Sequence, residues 1–212
     1  MDVPVDDRLT TIALQRLVVG VVLVVAAIGL GILVTVDADL DLDEWWNSFV
    51  DHFDFLRSFA LGMNFVGGGW FATFVVPLAG LAIMLALRRP WGGALVIVAS
   101  AASAVGVQLL KATFGRARPE DILVAADHGS YPSGHTANAA TLAVIAVVLF
   151  PRVWVAVVGA AWVLLMAFSR TEVHAHWFSD TVGGALVGTG VALVVAAALT
   201  LRIDRERAAL PR

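Results

Sequence analysis

Six stretches of this chain run for fifteen residues or more without a charged side chain: Leu17–Val36, Phe65–Leu87, Trp91–Leu110, Thr136–Phe150, Val153–Phe168 and Thr181–Leu201. A helix rises about 1.5 Å per residue, so about twenty residues cover the roughly 30 Å hydrocarbon core of a bilayer. Backbone polar groups at that depth must be satisfied internally, and long continuous apolar runs do so as helices. Composition agrees: 59% of residues are hydrophobic and only 15% charged, against about a quarter charged in a soluble domain. The expected fold is all-α, an integral membrane bundle of six transmembrane helices. With no cysteine, disulfide and thiolate chemistry are excluded. A net charge of −3 without any basic stretch gives no footprint for nucleic acid. The expected partner is the bilayer, and nothing in the pattern specifies an oligomeric state.

Four of the runs span easily. The fourth and fifth, of fifteen and sixteen residues, reach membrane length only if Ser133–His135 and Ser169–Arg170 lie partly within the bilayer thickness. Polar groups at that depth are costly unless they face a protein-lined cavity, so they point to function. The first run is longer than a signal-peptide core. It follows Asp2, Asp6 and Asp7 beside Arg8 and Arg16 and lacks a small-x-small cleavage site, which reads as an uncleaved span. Placing both termini in the cytoplasm puts Arg8, Arg16, Arg88, Arg89, Arg152, Arg202, Arg205, Arg207 and Arg212 inside. The smaller set, Arg57, Lys111, Arg116, Arg118 and Arg170, then falls outside, as the positive-inside rule requires.

The first outside loop, 37–60, carries Leu42, Trp45, Trp46, Phe49, Phe53 and Leu56 at helical spacing, with Asp41, Asp43, Glu44, Asp51 and Asp54 between them. That pattern predicts an interfacial amphipathic helix with tryptophans at headgroup depth. It serves either as an anchor between spans or as a lid over the outside opening. The glycines at 67–69 predict a bend or a close approach where the second span begins, with no chemistry attached. No repeat or linker interrupts the chain, so residues 1–212 read as one domain.

Three polar clusters remain, each at the outer end of a span: 111–119, 131–135 and 169–180. Topology brings them to one face. Lys111, Arg118 and Arg170 are cations in a mainly apolar protein, and together they call for an anion; guanidinium forks suit phosphate oxygens. Pro132 extends Tyr131, and Ser133 is a good N-cap for the helix that follows. The open N–H groups at that helix start form an anion seat, which Gly134 lets a ligand approach closely. His176 and Asp180 are four apart. If the sixth helix starts by His176, the carboxylate can hold one ring nitrogen and leave the other free to attack. His135, from a different helix end, is placed to act as the acid.

Blander readings fit several neighbours. Arg116 reads as a snorkelling side chain. His52, His128 and His174 read as structural or solvated, and Ser179–Asp180 could be a plain helix cap.

Together, Lys111-x6-Arg118-Pro119, Pro132-Ser133-Gly134-His135 and Ser169-Arg170-x5-His176-x3-Asp180 resemble the three-part signature of the type 2 phosphatidic acid phosphatase superfamily. Every specified position is present, in order, and the motifs define a core at 111–180. The resemblance implies a membrane phosphatase acting at the extracytoplasmic face of the cell membrane on the phosphomonoester or diphosphate of a lipid. It implies that His176 attacks phosphorus to form a phosphohistidine, oriented by Asp180, while His135 protonates the leaving oxygen and later activates water. Lys111, Arg118, Ser133, Gly134 and Arg170 would hold the phosphate. Neither a metal nor any other cofactor is implied.

Two other classes share these features. Vanadium haloperoxidases carry a similar signature around vanadate, but they are larger soluble proteins. An anion or lipid transporter would use the cations as a binding site, yet the motifs gather at one face rather than at the midplane. Phosphatidic acid, phosphatidylglycerol phosphate and polyprenyl diphosphates such as undecaprenyl diphosphate all present the phosphate that the motifs would contact, and the pattern does not separate them.

Overall fold

The structure, a computed structural model, describes residues 5–36 and 40–209. Asp2, Arg212 and residues 37–39 of the first outside loop lie outside the described residues. The described residues form helices without strands: α1 (Val5–Val36), α2 (Asp41–Val50), a 3-10 segment (Asp51–Leu56), α3 (Arg57–Gly67), a π segment (Phe71–Val75), α4 (Val76–Ala86), α5 (Pro90–Phe114), α6 (Gly134–Leu149), α7 (Val153–Glu172) and α8 (Phe178–Ala208). Among them, α1, α5, α7 and α8 are each long and apolar enough to cross a membrane. A fifth crossing is available if the bent pair Asp41–Gly67 and Phe71–Ala86 is one span. The remaining expected run, the fourth, is α6, an apolar helix of 16 residues.

Local chemistry sets the ends. Pro90 occupies the first turn of α5, where its missing N–H costs nothing. Gly115 closes that helix in the left-handed conformation (φ 57°), its N–H donating to the Lys111 carbonyl at 2.9 Å. Ser133 caps α6 as expected, its hydroxyl facing the Thr136 N–H at 3.5 Å. Helix α7 runs on to Glu172 and so takes in Ser169 and Arg170.

The second expected span, Phe65–Leu87, is not one straight helix. It breaks after Gly67, and the axis turns by 47° between the flanking helices. Gly68 is extended and Gly69 adopts φ 58°, a backbone state that favours glycine. Beyond the break the chain winds as a π turn before Pro77, which has no N–H to continue the ladder.

Helix α8 is the hub, packed along α1, α6 and α5, while α7 lies on α6. Small residues allow the approach: a Cβ on Gly20 would sit 2.8 Å from the Gly190 carbonyl. At the end away from the motifs, Leu95, Ile145, Leu149, Ala192, Ala196 and Ile203 form a close-packed core. The outward faces stay apolar. Val22, Val25 and Val158 are each about 60% exposed, a surface suited to lipid rather than water.

The segment after α1 is helical, as expected, in α2, the 3-10 turn and the start of α3, but its apolar stripe is divided. Trp45, Phe49 and Leu42 are exposed. Trp46 turns inward, against Phe178 at 4.8 Å and donating to the Thr171 hydroxyl at 3.0 Å. Asp43, expected on the solvated face, is 2% exposed. It faces inward because it has partners there, as set out below.

Candidate active site

Four chain segments converge at one end of the bundle. Lys111 comes from the last turn of α5 and Arg118 from the loop after it. Gly134 and His135 open α6, Arg170 lies in the last turn of α7, and His176 precedes α8. All six line one cavity of about 890 Å³. Its far wall is apolar, built from Phe74, Leu78, Ile97 and Ala104 on the π segment, α4 and α5.

The cations do find an anion, from a residue the sequence reading passed over. Asp127 accepts from Lys111 Nζ at 3.0 Å and from Arg118 at 2.7 Å, both on Oδ1. Each cation also donates to the Gly129 carbonyl at 2.8 Å. Partial burial works against the charged form of Asp127. The bond and charge of Lys111, the Gln108 amide and the charge of Arg118 outweigh it and hold the carboxyl below its ordinary range. Asp127 gave no signal in the sequence because a lone acid in a polar loop has no distinguishing spacing. Arg170 is 1% exposed and donates to the Asn64 side chain at 2.8 Å.

His176 is 4% exposed and sits between two contacts. Its Nδ1 lies 3.5 Å from Asp180 Oδ2, and its Nε2 lies 3.3 Å from the Arg118 guanidinium. A guanidinium can only donate, so Nε2 is the acceptor and the ring proton belongs on Nδ1, facing Asp180. At 3.5 Å the His–Asp contact is an ion-pair distance, long for a hydrogen bond. Burial pushes the imidazolium of His176 down to about 4 despite the opposing pull of Asp180. The ring is therefore neutral at neutral pH.

Asp180 is fully buried and also caps α8, accepting from the Trp177 N–H at 2.9 Å. The plain-cap reading and the orienting geometry thus coexist in one residue. Arg116 does not snorkel. It is 7% exposed, and its NH1 donates to Asp180 Oδ1 at 2.7 Å. A carboxylate inside the protein offers it more than a headgroup does.

His135 Nε2 lies 3.2 Å from the Asn64 carbonyl, which can only accept, so the proton is on Nε2 and Nδ1 is left as a base. The glycine run reaches the chemistry after all: a Cβ on Gly68 would meet His135 Nε2 at 2.0 Å. Ser133 stands apart from the cavity wall. It is fully buried, and its hydroxyl engages Thr136 rather than the cavity. Its cap leaves the N–H groups of Gly134 and His135 at the open helix end. Of the other histidines, His52 and His128 are exposed. His174 is buried between Asp51 at 3.1 Å and Asp121 at 2.7 Å, a structural position.

A model of the PAP2 superfamily matches residues 92–204. A "Lipid A 1-phosphatase" of Porphyromonas gingivalis is 34% identical over 141 residues, 59% of this chain and 31% of that protein. An "Undecaprenyl-diphosphatase" of Sulfolobus acidocaldarius is 34% identical over 65 residues, 31% of each chain. The alignments thus span about a third of those relatives' lengths. A crystal structure of a transmembrane PAP2 type phosphatidylglycerolphosphate phosphatase from Bacillus subtilis shares the fold, with a TM-score of 0.63 at 18% identity over 89% of this chain and 98% of that one.

Proposed function

The chain belongs to the PAP2 superfamily, and on that premise we propose that it is an integral membrane phosphatase. It hydrolyses a lipid phosphomonoester or diphosphate through a phosphohistidine on His176. The observation that carries this reading is the pair of contacts on the His176 ring: Asp180 faces Nδ1, and Nε2 is directed at Arg118 in a cavity lined by three cations. A phosphoryl group held there meets a neutral nitrogen lone pair on one side and donors on the others.

In the first half-reaction Nε2 of His176 forms a bond to phosphorus and the bond to the leaving oxygen breaks. His135 Nδ1, a base in the resting ring, takes up the proton carried by the substrate's phosphate monoanion and passes it to the leaving oxygen. In the second half, the now neutral Nδ1 takes a proton from water, which attacks phosphorus and releases His176 and phosphate. Lys111, Arg118 and Arg170, with the Gly134 N–H, neutralise charge on the equatorial oxygens. Ser133 contributes by fixing the first turn of α6 rather than by touching phosphate.

The bundle is read as six crossings in one domain, with α6 the short one, both termini cytoplasmic and the site at the extracytoplasmic face of the cell membrane. The apolar cavity wall at Phe74, Leu78, Ile97 and Ala104 suits an acyl or prenyl chain. Phosphatidic acid, phosphatidylglycerol phosphate, a lipid A 1-phosphate and undecaprenyl diphosphate are the substrates to compare. The test is phosphate release from that panel in detergent, with and without EDTA. Turnover of at least one lipid phosphate is expected, unchanged by the chelator. Loss with EDTA and recovery with a divalent ion would overturn the metal-free chemistry, and no turnover on any member would overturn the activity.

Asp127 now has a role: its carboxylate occupies the seat that a phosphate must share or take. It stays charged through the neutral range, because its carboxyl titrates below the usual carboxylate value. Asp127→Asn is expected to tighten competitive inhibition by inorganic phosphate about fivefold, the scale of a half-exposed ion pair. A weaker inhibition constant would instead mean that Asp127 orders the two cations for substrate.

A further inference from the structure

Behind the proposed nucleophile lies a buried network that none of the motif residues predicts. The Arg116 guanidinium joins three acceptors on two elements. NH1 donates to Asp180 Oδ1 and to Ser179 Oγ, each at 2.7 Å, and NH2 donates to Asp43 Oδ2 at 2.8 Å. Asp43 returns to the same helix start: its Oδ1 accepts from the Ser179 N–H at 2.8 Å, and its Oδ2 accepts from the Ser179 hydroxyl. Arg116, Asp43, Ser179 and Asp180 are all at least nine-tenths buried. One cation is thus held between two carboxylates in an apolar protein, with both terminal nitrogens placed by acceptors and the Trp177 ring centroid 5.6 Å from the guanidinium carbon. Ion groups this deep cost several kcal/mol each to desolvate. A cap or an anchor alone does not need them, since an apolar contact would hold α2 as well.

Geometry says what they do need. Asp180 has two oxygens and three claims on them: the Trp177 N–H, Arg116 and His176. Arg116 occupies Oδ1 and so turns Oδ2 toward Nδ1 of His176. Asp43 in turn fixes the plane of Arg116, and it sits on α2, the helix with Trp45 and Phe49 exposed. We infer that Arg116 and Asp43 are positioning residues of the reaction, setting the orientation and effective charge of Asp180 behind His176, so that α2 is part of the active site. This rests on the reading of His176 as nucleophile.

The effect on charge has a sign. The groups facing His176 are Asp180 from α8, Arg118 and Lys111 from the end of α5 and its loop, and His135 from α6, with Arg170 on the cavity wall. Of the carboxylates, Asp180 lies against the ring, while Asp127 on the same cavity wall is paired with Lys111 and Arg118; Arg116 offsets the Asp180 charge from behind. Without Arg116 the proton is held more tightly by His176, and the neutral nucleophile is lost at a higher pH.

The test uses the full chain in lipid nanodiscs with whichever lipid phosphate the panel identifies, recording kcat, KM and the pH profile of kcat/KM for Arg116→Ala, Arg116→Lys and Asp43→Asn. Arg116→Ala is expected to lower kcat about 100-fold with KM within about threefold, the scale of a misplaced reacting group, and to move the acidic limb upward by about one pH unit. Arg116→Lys returns the charge without the fork, so the limb recovers while kcat stays depressed. Asp43→Asn lowers kcat about tenfold. The pH of the limb does not depend on how much protein is folded, so a poorly folding variant still reports. Limbs and kcat within threefold of wild type in all three variants would overturn the inference alone. Undiminished turnover in His176→Ala would overturn the reading beneath it.

Discussion

His176→Ala lowers kcat for phosphate release by on the order of 10⁴-fold or more, the scale of removing a covalent nucleophile. KM changes little, because Lys111, Arg118 and Arg170 still line the cavity. His176 is almost inaccessible, and its imidazolium is pushed down to about 4. The folded value lies below the ordinary one, so the neutral ring persists as pH falls through 6.5 and is protonated only toward pH 4. Wild-type kcat/KM should hold its His176-dependent activity down to about pH 5 instead of losing it near 6.5. The chemical counterpart is an acid-labile phosphoenzyme, trapped by rapid quench in the wild type and absent in His176→Ala. His135→Ala should slow both the formation and the hydrolysis of that species, since the same ring protonates the leaving oxygen and later activates water. Phosphoenzyme in the His176 variant would falsify the assignment.

The reach of the sequence differs between fold and site for a physical reason. Apolar runs are local, so four of the six lie within single helices and Thr136–Phe150 overruns α6 by one residue, and Ser133 at the start of α6 needed only its own neighbours to be read. Motif residues with fixed spacing, such as His176 and Asp180, were legible because they lie four apart at one helix start, His176 just before α8 and Asp180 in its first turn. Arg116 was misread because its partners, Asp43 and Asp180, are 73 and 64 residues away. Nothing in the local pattern distinguishes a snorkelling arginine from one between two carboxylates. Asp43 was misread for the related reason that helical periodicity assigns acids to the wet face, whereas an ion pair reverses that preference. Asn64 holds Arg170 through its side chain and His135 through its carbonyl; backbone acceptors leave no trace in sequence. The glycines at 67–69 announced a bend, but only the fold places Gly68 against the His135 ring.

Gly188→Ala should cost both stability and activity, although it adds one methyl group far from any reacting atom. Gly184 and Gly188 lie one turn apart on α8, where it crosses α6. A Cβ at 188 would sit 2.1 Å from the Ala137 carbonyl oxygen, and one at 184 would sit 2.4 Å from that of Ser133. Both obstacles are backbone, so neither can rotate away. The helices must separate by more than 1 Å to restore ordinary contact, which is the condition under which over-packing costs about 1–3 kcal/mol. The same seam sets the gap across the site, because α6 carries Gly134 and His135 while α8 carries Asp180, with His176 just before it. A shift of about 1 Å between reacting groups is worth about 100-fold in rate. Gly188→Ala is therefore expected to lower kcat about 100-fold and to lower the thermal midpoint in detergent. Gly106→Ala is the matched control, as nothing lies within 4 Å of its added Cβ, and it should leave both unchanged. Wild-type kcat in a Gly188→Ala protein of lowered midpoint would separate the two effects and show that the spacing of His135 and His176 is held by the loops rather than by the helix seam.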